Sequence, residues 1–62
     1  MGETEKGGET WFGGYTDEAS AKEDGMRLYG ADIEVRHEHF EGGFALVVPT
    51  GQAASARTVL GR

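Results

Sequence analysis

Residues 34–48 read EVRHEHFEGGFALVV, and this stretch decides the fold. With Ile33 just before it, side chains alternate. Ile33, Val35, His37 and His39 fall on one side, and Glu34, Arg36, Glu38 and Phe40 on the other. That is the period of a half-buried strand. Gly42-Gly43 offers a tight two-residue turn, and FALVV returns as a second strand that stops at Pro49. A turn centred on the two glycines sets Glu41 opposite Phe44, His39 opposite Leu46 and His37 opposite Val48. FALVV is apolar on both sides, whereas the strand before it is not, so FALVV is expected to be central in the sheet.

Upstream, TDEASAKEDGMRLYG (residues 16–30) has the ends of a helix. Thr16 is the expected N-cap, Asp17 and Glu18 suit the positive end of the helix dipole, and Gly30 is the expected stop. Ala19, Lys22 by its stem, Met26 and Tyr29 recur at spacings of three and four, which predicts the buried stripe. Gly25 interrupts the helix at a cost of roughly 1 kcal/mol relative to alanine. That cost is expected where a helix crosses a neighbour closely. TWFGGYTDE opens the folded part with Trp11, Phe12 and Tyr15 in a short strand. Gly13-Gly14 marks a bulge or a close backbone approach. Residues 1–9 are polar apart from Met1 and read as a disordered acidic tail. Downstream, Thr50 is expected to cap a final helix with Ala53, Ala56, Val59 and Leu60 as its apolar stripe, closed by Gly61.

The order is strand, helix, strand, strand, helix, in a single α+β domain over residues 10–62. The expected architecture is a two-layer βαββα sandwich. A three-stranded, mainly antiparallel sheet, in spatial order 1-3-2, carries both helices on one face. This is most of a ferredoxin-like fold without its fourth strand. The expected core is Ile33, Val35, Leu46, Val48, Met26, Tyr29, Val59 and Leu60 with several alanines.

Sixty-two residues give a small core of marginal stability. There is no cysteine, which removes disulfides, thiolate metal sites and cysteine nucleophiles. No apolar run approaches a membrane span, and residues 1–10 are polar rather than a secretory leader. The expectation is a cytoplasmic protein with no membrane partner. The net charge is −5, and most of the excess lies in the first half, where Glu3, Glu5, Glu9, Asp17, Glu18, Glu23 and Asp24 outnumber Lys6, Lys22 and Arg27. Such a surface disfavours nucleic acid, because it repels phosphate.

The segments DEASAKEDGMRLYGADIEVR and ALVVPTGQAASARTVLG resemble a family of small bacterial βαββα domains described as putative signal-transducing proteins, related in fold to the PII-like regulators. The first is a helix closing on glycine before a strand. The second is a strand ending in Val-Pro, then a helix with spaced alanines and a final Val-Leu. The resemblance covers residues 10–61, and this chain departs from the pattern at Lys22 and Gly25, where larger apolar residues are usual. It implies a regulatory or binding role in signal transduction and brings no catalytic residues.

His37, His39 and Glu41 share a strand face at i, i+2 and i+4, a spacing that can present two imidazoles and a carboxylate to zinc, nickel or copper. The same face carries Ile33 and Val35, so the plainer expectation is two histidines at the projecting end of a hairpin, with no metal and no cofactor. Ser20 and Ser55 have no local base, and FGGY and EGGF lack phosphate-loop spacing. No enzyme is expected. The uncovered side of the sheet is more informative. Phe40, Ala45 and Val47, joined by Trp11 or Phe12, make an apolar interaction surface on a bare sheet. The expected function is a small non-enzymatic regulatory protein working by protein–protein contact, as a homodimer through that face or an exposed edge. The alternative is an acidic inhibitor or decoy that occupies a basic, nucleic-acid-binding site on a larger protein.

Overall fold

A computed structural model describes residues 3–62; Met1 and Gly2 lie outside the described residues. Four strands and two helices run in the order β1 (Glu3–Lys6), β2 (Glu9–Tyr15), α1 (Glu18–Gly30), β3 (Arg36–Phe40), β4 (Gly43–Pro49) and α2 (Ala53–Leu60). A single 3-10 turn, Thr50–Gln52, leads into α2. The protein is α+β, with an open antiparallel sheet in the order β1-β2-β4-β3. The strands β2, β4 and β3 follow the expected arrangement, with FALVV in the middle, but the sheet has four strands rather than three.

The additional strand corrects the expected tail. Residues 3–6 form β1, and residues 7 and 8 turn the chain back into β2. Gly7 and Gly8 both take positive φ, 59° and 81°, which a two-residue hairpin turn of this hand requires. β1 is wholly polar because it is an edge strand with both faces near water. Charged side chains on such an edge discourage further pairing. Beyond its pairing with β2, β1 and its turn are tied to the rest by Arg57 of α2, which donates to Glu3 at 2.7 and 2.9 Å, and by the Thr50 N–H, which donates to the Gly8 carbonyl at 2.9 Å.

The two glycines of β2 form the expected bulge. Phe12 pairs with Leu46 and Tyr15 with Phe44, so Gly13 and Gly14 together oppose Ala45. Gly14, at φ 95°, takes the left-handed turn this needs. One extra residue puts Phe12 and Tyr15, three apart, on the same face. Both are buried there with Leu46 and Val48, Ala21 and Leu28 of α1, Ile33, and Ala53 and Ala56 of α2. Both helices therefore cover one face of the sheet.

The helix stripe differs from the expected one. The buried residues of α1 are Ala21, Gly25 and Leu28, while Met26 and Tyr29 are 73% and 78% exposed. Ala19 and Lys22 are exposed too. Small residues face inward because the helix lies close to the sheet. A Cβ on Gly25 would sit 2.5 Å from His37 Nε2 and 3.5 Å from Leu46 Cδ2. Asp17, not Thr16, caps the helix, accepting from the Ser20 N–H at 2.7 Å. Gly30 is the last helical residue rather than the stop. The Ile33 N–H donates to Leu28 O and the Asp32 N–H to Tyr29 O, each at 3.0 Å. That is a Schellman closure with Asp32, at φ 64°, in the left-handed position usually held by glycine. The apolar pair that accompanies such a closure is Leu28 and Ile33, both in the core.

The β3–β4 turn is also shifted. Phe40 pairs with Gly43, His39 with Phe44 and His37 with Leu46, so the turn is Glu41-Gly42. Gly43 pairs in the strand at a place where only glycine fits, since a Cβ there would collide with the Tyr15 carbonyl oxygen. The two-residue displacement keeps every side chain on its expected face.

Candidate functional site

The face of the sheet away from the helices is built from alternate residues of all four strands. Thr4 and Lys6 come from β1, Glu9 and Trp11 from β2, Ala45 and Val47 from β4, and Arg36, Glu38 and Phe40 from β3. Register settles the choice between the two strand-1 aromatics. Trp11 pairs with Val47 and looks outward, whereas Phe12 pairs with Leu46 and is fully buried among the helices. Phe12 is therefore core and not surface.

Nor are Ala45 and Val47 a bare surface. Each is only 2% exposed. The reason is a charged strap laid over the central strand. Arg36 on β3 donates to Glu38 at 2.6 Å and reaches across β4 to grip Glu9 on β2 at 2.7 and 3.2 Å. Trp11 closes the same row from the other side. The Arg36 hydrogen bonds pull the Glu9 carboxyl below its ordinary range, and Glu9 and Glu38 in turn raise the Arg36 guanidinium above its own. Arg57 lowers Glu3 in the same way on the helix side.

What remains open is a groove of about 520 Å³ at the bulged end of this face. Its floor is Gly13 and Ala45, and its walls are Trp11 and Phe40, with Lys6 at one end and Gly42 at the other. The glycine bulge makes the floor, because two consecutive residues there lack side chains. Phe40 is 45% exposed. Lys6 holds its ammonium 5.7 Å from the Trp11 ring centre, within reach of a cation–π attraction. Among the described residues, Trp11 Nε1 is the buried side-chain polar atom with no hydrogen-bond partner. An unmade bond of this kind costs about 1–3 kcal/mol. Sequence reasoning found Trp11, Phe40 and Ala45 but missed Lys6 and the glycines. The KGGE hairpin signal was the available clue.

The histidine cluster is not assembled into a ligand set. His37 and His39 are exposed on the helix-facing side of β3, and Glu41 lies in the turn. The His37 imidazole lies over Gly25, and His39 stacks on Phe44 with ring centres 4.6 Å apart. Among the described residues, no group of three or more His, Asp or Glu is placed to hold a metal ion.

A second polar network joins β2 to the helices. The Tyr15 hydroxyl donates to Asp24 at 2.6 Å, Arg27 donates to Asp24 at 3.3 Å, and Arg27 donates to the Val59 carbonyl at 2.7 Å. Burial, then the bond to Asp24, pushes the Tyr15 hydroxyl up to about 12. Arg62 lies over the Tyr15 ring and donates to the Gly13 carbonyl at 2.9 Å. These bonds join β2 to both helices, so the network reads as bracing.

No helix of the described residues is long and apolar enough to cross a membrane. No family model, curated protein or solved structure matches the chain.

Proposed function

We propose that the protein is a small non-enzymatic interaction module, regulatory in role, that docks an apolar side chain of a protein partner in the groove between Trp11 and Phe40. The observation that carries this reading is the contrast across the open face. Most of the face is sealed by the Arg36 strap, while the bulged end stays open between two aromatic walls. A concave, mainly apolar site with a few placed polar groups is what recognition of an aromatic or aliphatic anchor needs. Lys6 supplies a charged group at its edge. A regulatory role also agrees with the resemblance to PII-like signalling domains.

The decoy reading has less support. The acids are spread over β1, β2, α1, β3 and the turns, and Glu3, Glu9, Asp24 and Glu38 are already paired with arginines. The open face also gives little purchase to phosphate, because Arg36 is committed to two carboxylates.

A random-peptide display selection on the immobilised protein, counter-selected on the Phe40→Ser variant, tests the docking site. Enriched peptides should share one aromatic or aliphatic anchor and lose binding to that variant. If no peptide survives counter-selection and the protein does not self-associate, the reading fails.

A further inference from the structure

We propose that the partner segment taken by the groove is acidic beside its anchor: an apolar side chain fills the space between Trp11 and Phe40, and a carboxylate within about four residues of it meets Lys6. This rests on the reading of the groove as a docking site and names the chemistry of its partner.

Lys6 stands directly opposite Glu9 across the β1–β2 pair. Opposite charges facing each other across an antiparallel pair attract, so Glu9 is the natural carboxylate for Lys6. Here Glu9 is taken. Arg36 reaches over from β3 and grips both of its oxygens, at 2.7 and 3.2 Å. The ion pairs among the described residues are Arg27–Asp24, Arg36–Glu9, Arg36–Glu38 and Arg57–Glu3, and Lys6 is in none of them. Its ammonium lies against the groove wall instead, 5.7 Å from the Trp11 ring centre. The strap that seals Val47 therefore also leaves a cation without a carboxylate at the edge of the groove.

The lining of the groove adds nothing to oppose that charge. It consists of threonines, aromatics, glycines and Ala45, with Lys6 as the one charged residue. The chain as a whole has eleven acids against six basic residues. Two other hollows on its surface are each lined by two carboxylates, Asp32 and Glu34 in one, Glu18 and Glu38 in the other. An acid-free hollow with an unpaired ammonium at its end favours a carboxylate there and apolar surface between the rings. The spacing follows from the strand. Gly13 in the floor lies two residues along β2 from Trp11, about 7 Å. Adding the 5.7 Å from ring to ammonium puts the cation within roughly 13 Å of the anchor's seat, a span that an extended segment covers in about four residues. The net charge of −5 opposes an acidic partner at long range. Solvent ions screen that repulsion beyond roughly 8 Å at physiological salt, whereas the Lys6 contact acts at close range.

The test is a pair of random-peptide display selections, on the wild type and on Lys6→Glu, with circular dichroism to confirm that the variant is folded. Wild-type peptides that require Phe40 should carry Asp or Glu within about four residues of the anchor, and those selected on Lys6→Glu should carry Lys or Arg there. One wild-type peptide is then synthesised with its acid and with that acid replaced by lysine, and binding is followed by fluorescence anisotropy. Lys6→Glu should weaken the acidic peptide by about tenfold, since an attraction becomes a repulsion. The lysine peptide should recover on that variant to within about threefold of the original pair, and Lys6→Arg should bind the acidic peptide within about threefold of wild type. Peptides that require Phe40 but carry no such acid, or that bind Lys6→Glu unchanged, overturn the proposal and leave the docking site standing. Self-association of the wild type that Phe40→Ser abolishes makes a second copy the occupant and overturns it as well. If no peptide requires Phe40 and the protein does not self-associate, both readings fall.

Discussion

Gly25→Ala isolates the closest approach between α1 and the sheet. In an isolated helix the substitution gains about 1 kcal/mol, because alanine loses less backbone freedom. Here the new methyl would sit 2.5 Å from His37 Nε2 and 2.9 Å from Cε1, too close to coexist with the present imidazole position. The contact with Leu46 Cδ2, at 3.5 Å, is ordinary. His37 is exposed on an edge strand, so its ring can swing away at an off-rotamer cost of about 0.5–1.5 kcal/mol. Gain and cost nearly cancel, and Gly25→Ala alone should change stability by less than about 0.5 kcal/mol. In a His37→Ala background the obstruction is gone, and the same substitution should stabilise by about 1 kcal/mol. Urea unfolding of the four proteins closes the cycle, with an expected coupling of about 1 kcal/mol. If Gly25→Ala destabilises the His37→Ala protein by 1 kcal/mol or more, the helix-to-sheet distance is set by Leu46 and not by the imidazole, and the reasoning is refuted.

Asp32→Gly relieves a left-handed residue at the Schellman closure and should raise stability by about 0.5–1 kcal/mol, seen as a rise of about 4 °C in Tm. Tyr15→Phe removes a charged-acceptor hydrogen bond to Asp24 and should cost about 1.5–3 kcal/mol by urea unfolding. Because the folded state raises the Tyr15 hydroxyl to about 12, its stabilisation is complete below the ordinary tyrosine range near 10 and is lost as pH rises through 12. Alkaline unfolding of the wild type should therefore be steeper than that of Tyr15→Phe. Deleting residues 2–8 removes β1, the Glu3–Arg57 pair and the Gly8 carbonyl bond, so the truncated protein should melt lower than the full chain by differential scanning calorimetry. An unchanged Tm would mean that β1 contributes nothing. Glu3→Gln should flatten the loss of stability on acidification, because the depressed carboxyl stabilises the fold only while ionised.

The β3–β4 hairpin was legible because its period-two pattern and its apolar return strand are local facts. The bulge at Gly13-Gly14, the stop at Pro49 and the end at Gly61 were legible for the same reason. What was not legible depended on distant partners. The α1 sequence offers two stripes about one residue apart, and side-chain bulk favours the one with Met26 and Tyr29 over Ala21, Gly25 and Leu28. The helix instead buries Ala21 and Gly25, because α1 approaches the sheet closely at Gly25. Nothing local says which glycine of Gly42-Gly43 makes the turn. β1 escaped notice because ETEK has little strand propensity, and its stability comes from β2 and Arg57. Within the candidate site, Trp11 and Phe40 could be read as outward aromatics. The sealing of Val47 could not, because it depends on Arg36 reaching Glu9 across an intervening strand.

The bulge in β2 also constrains how this protein can change. Two consecutive glycines turn Tyr15 into the core and, by the same step, leave the floor of the groove without side chains. Interior and groove floor therefore share one inheritance. A variant that lost the left-handed residue at Gly14 would straighten the strand, withdraw Tyr15 from Asp24 and put a side chain where the groove lies open. In most small domains a lineage can retune its surface while its core stays fixed. Here change in the groove is steered away from β2 and toward the rim, at Lys6 and Phe40, where a substitution does not also alter the packed interior.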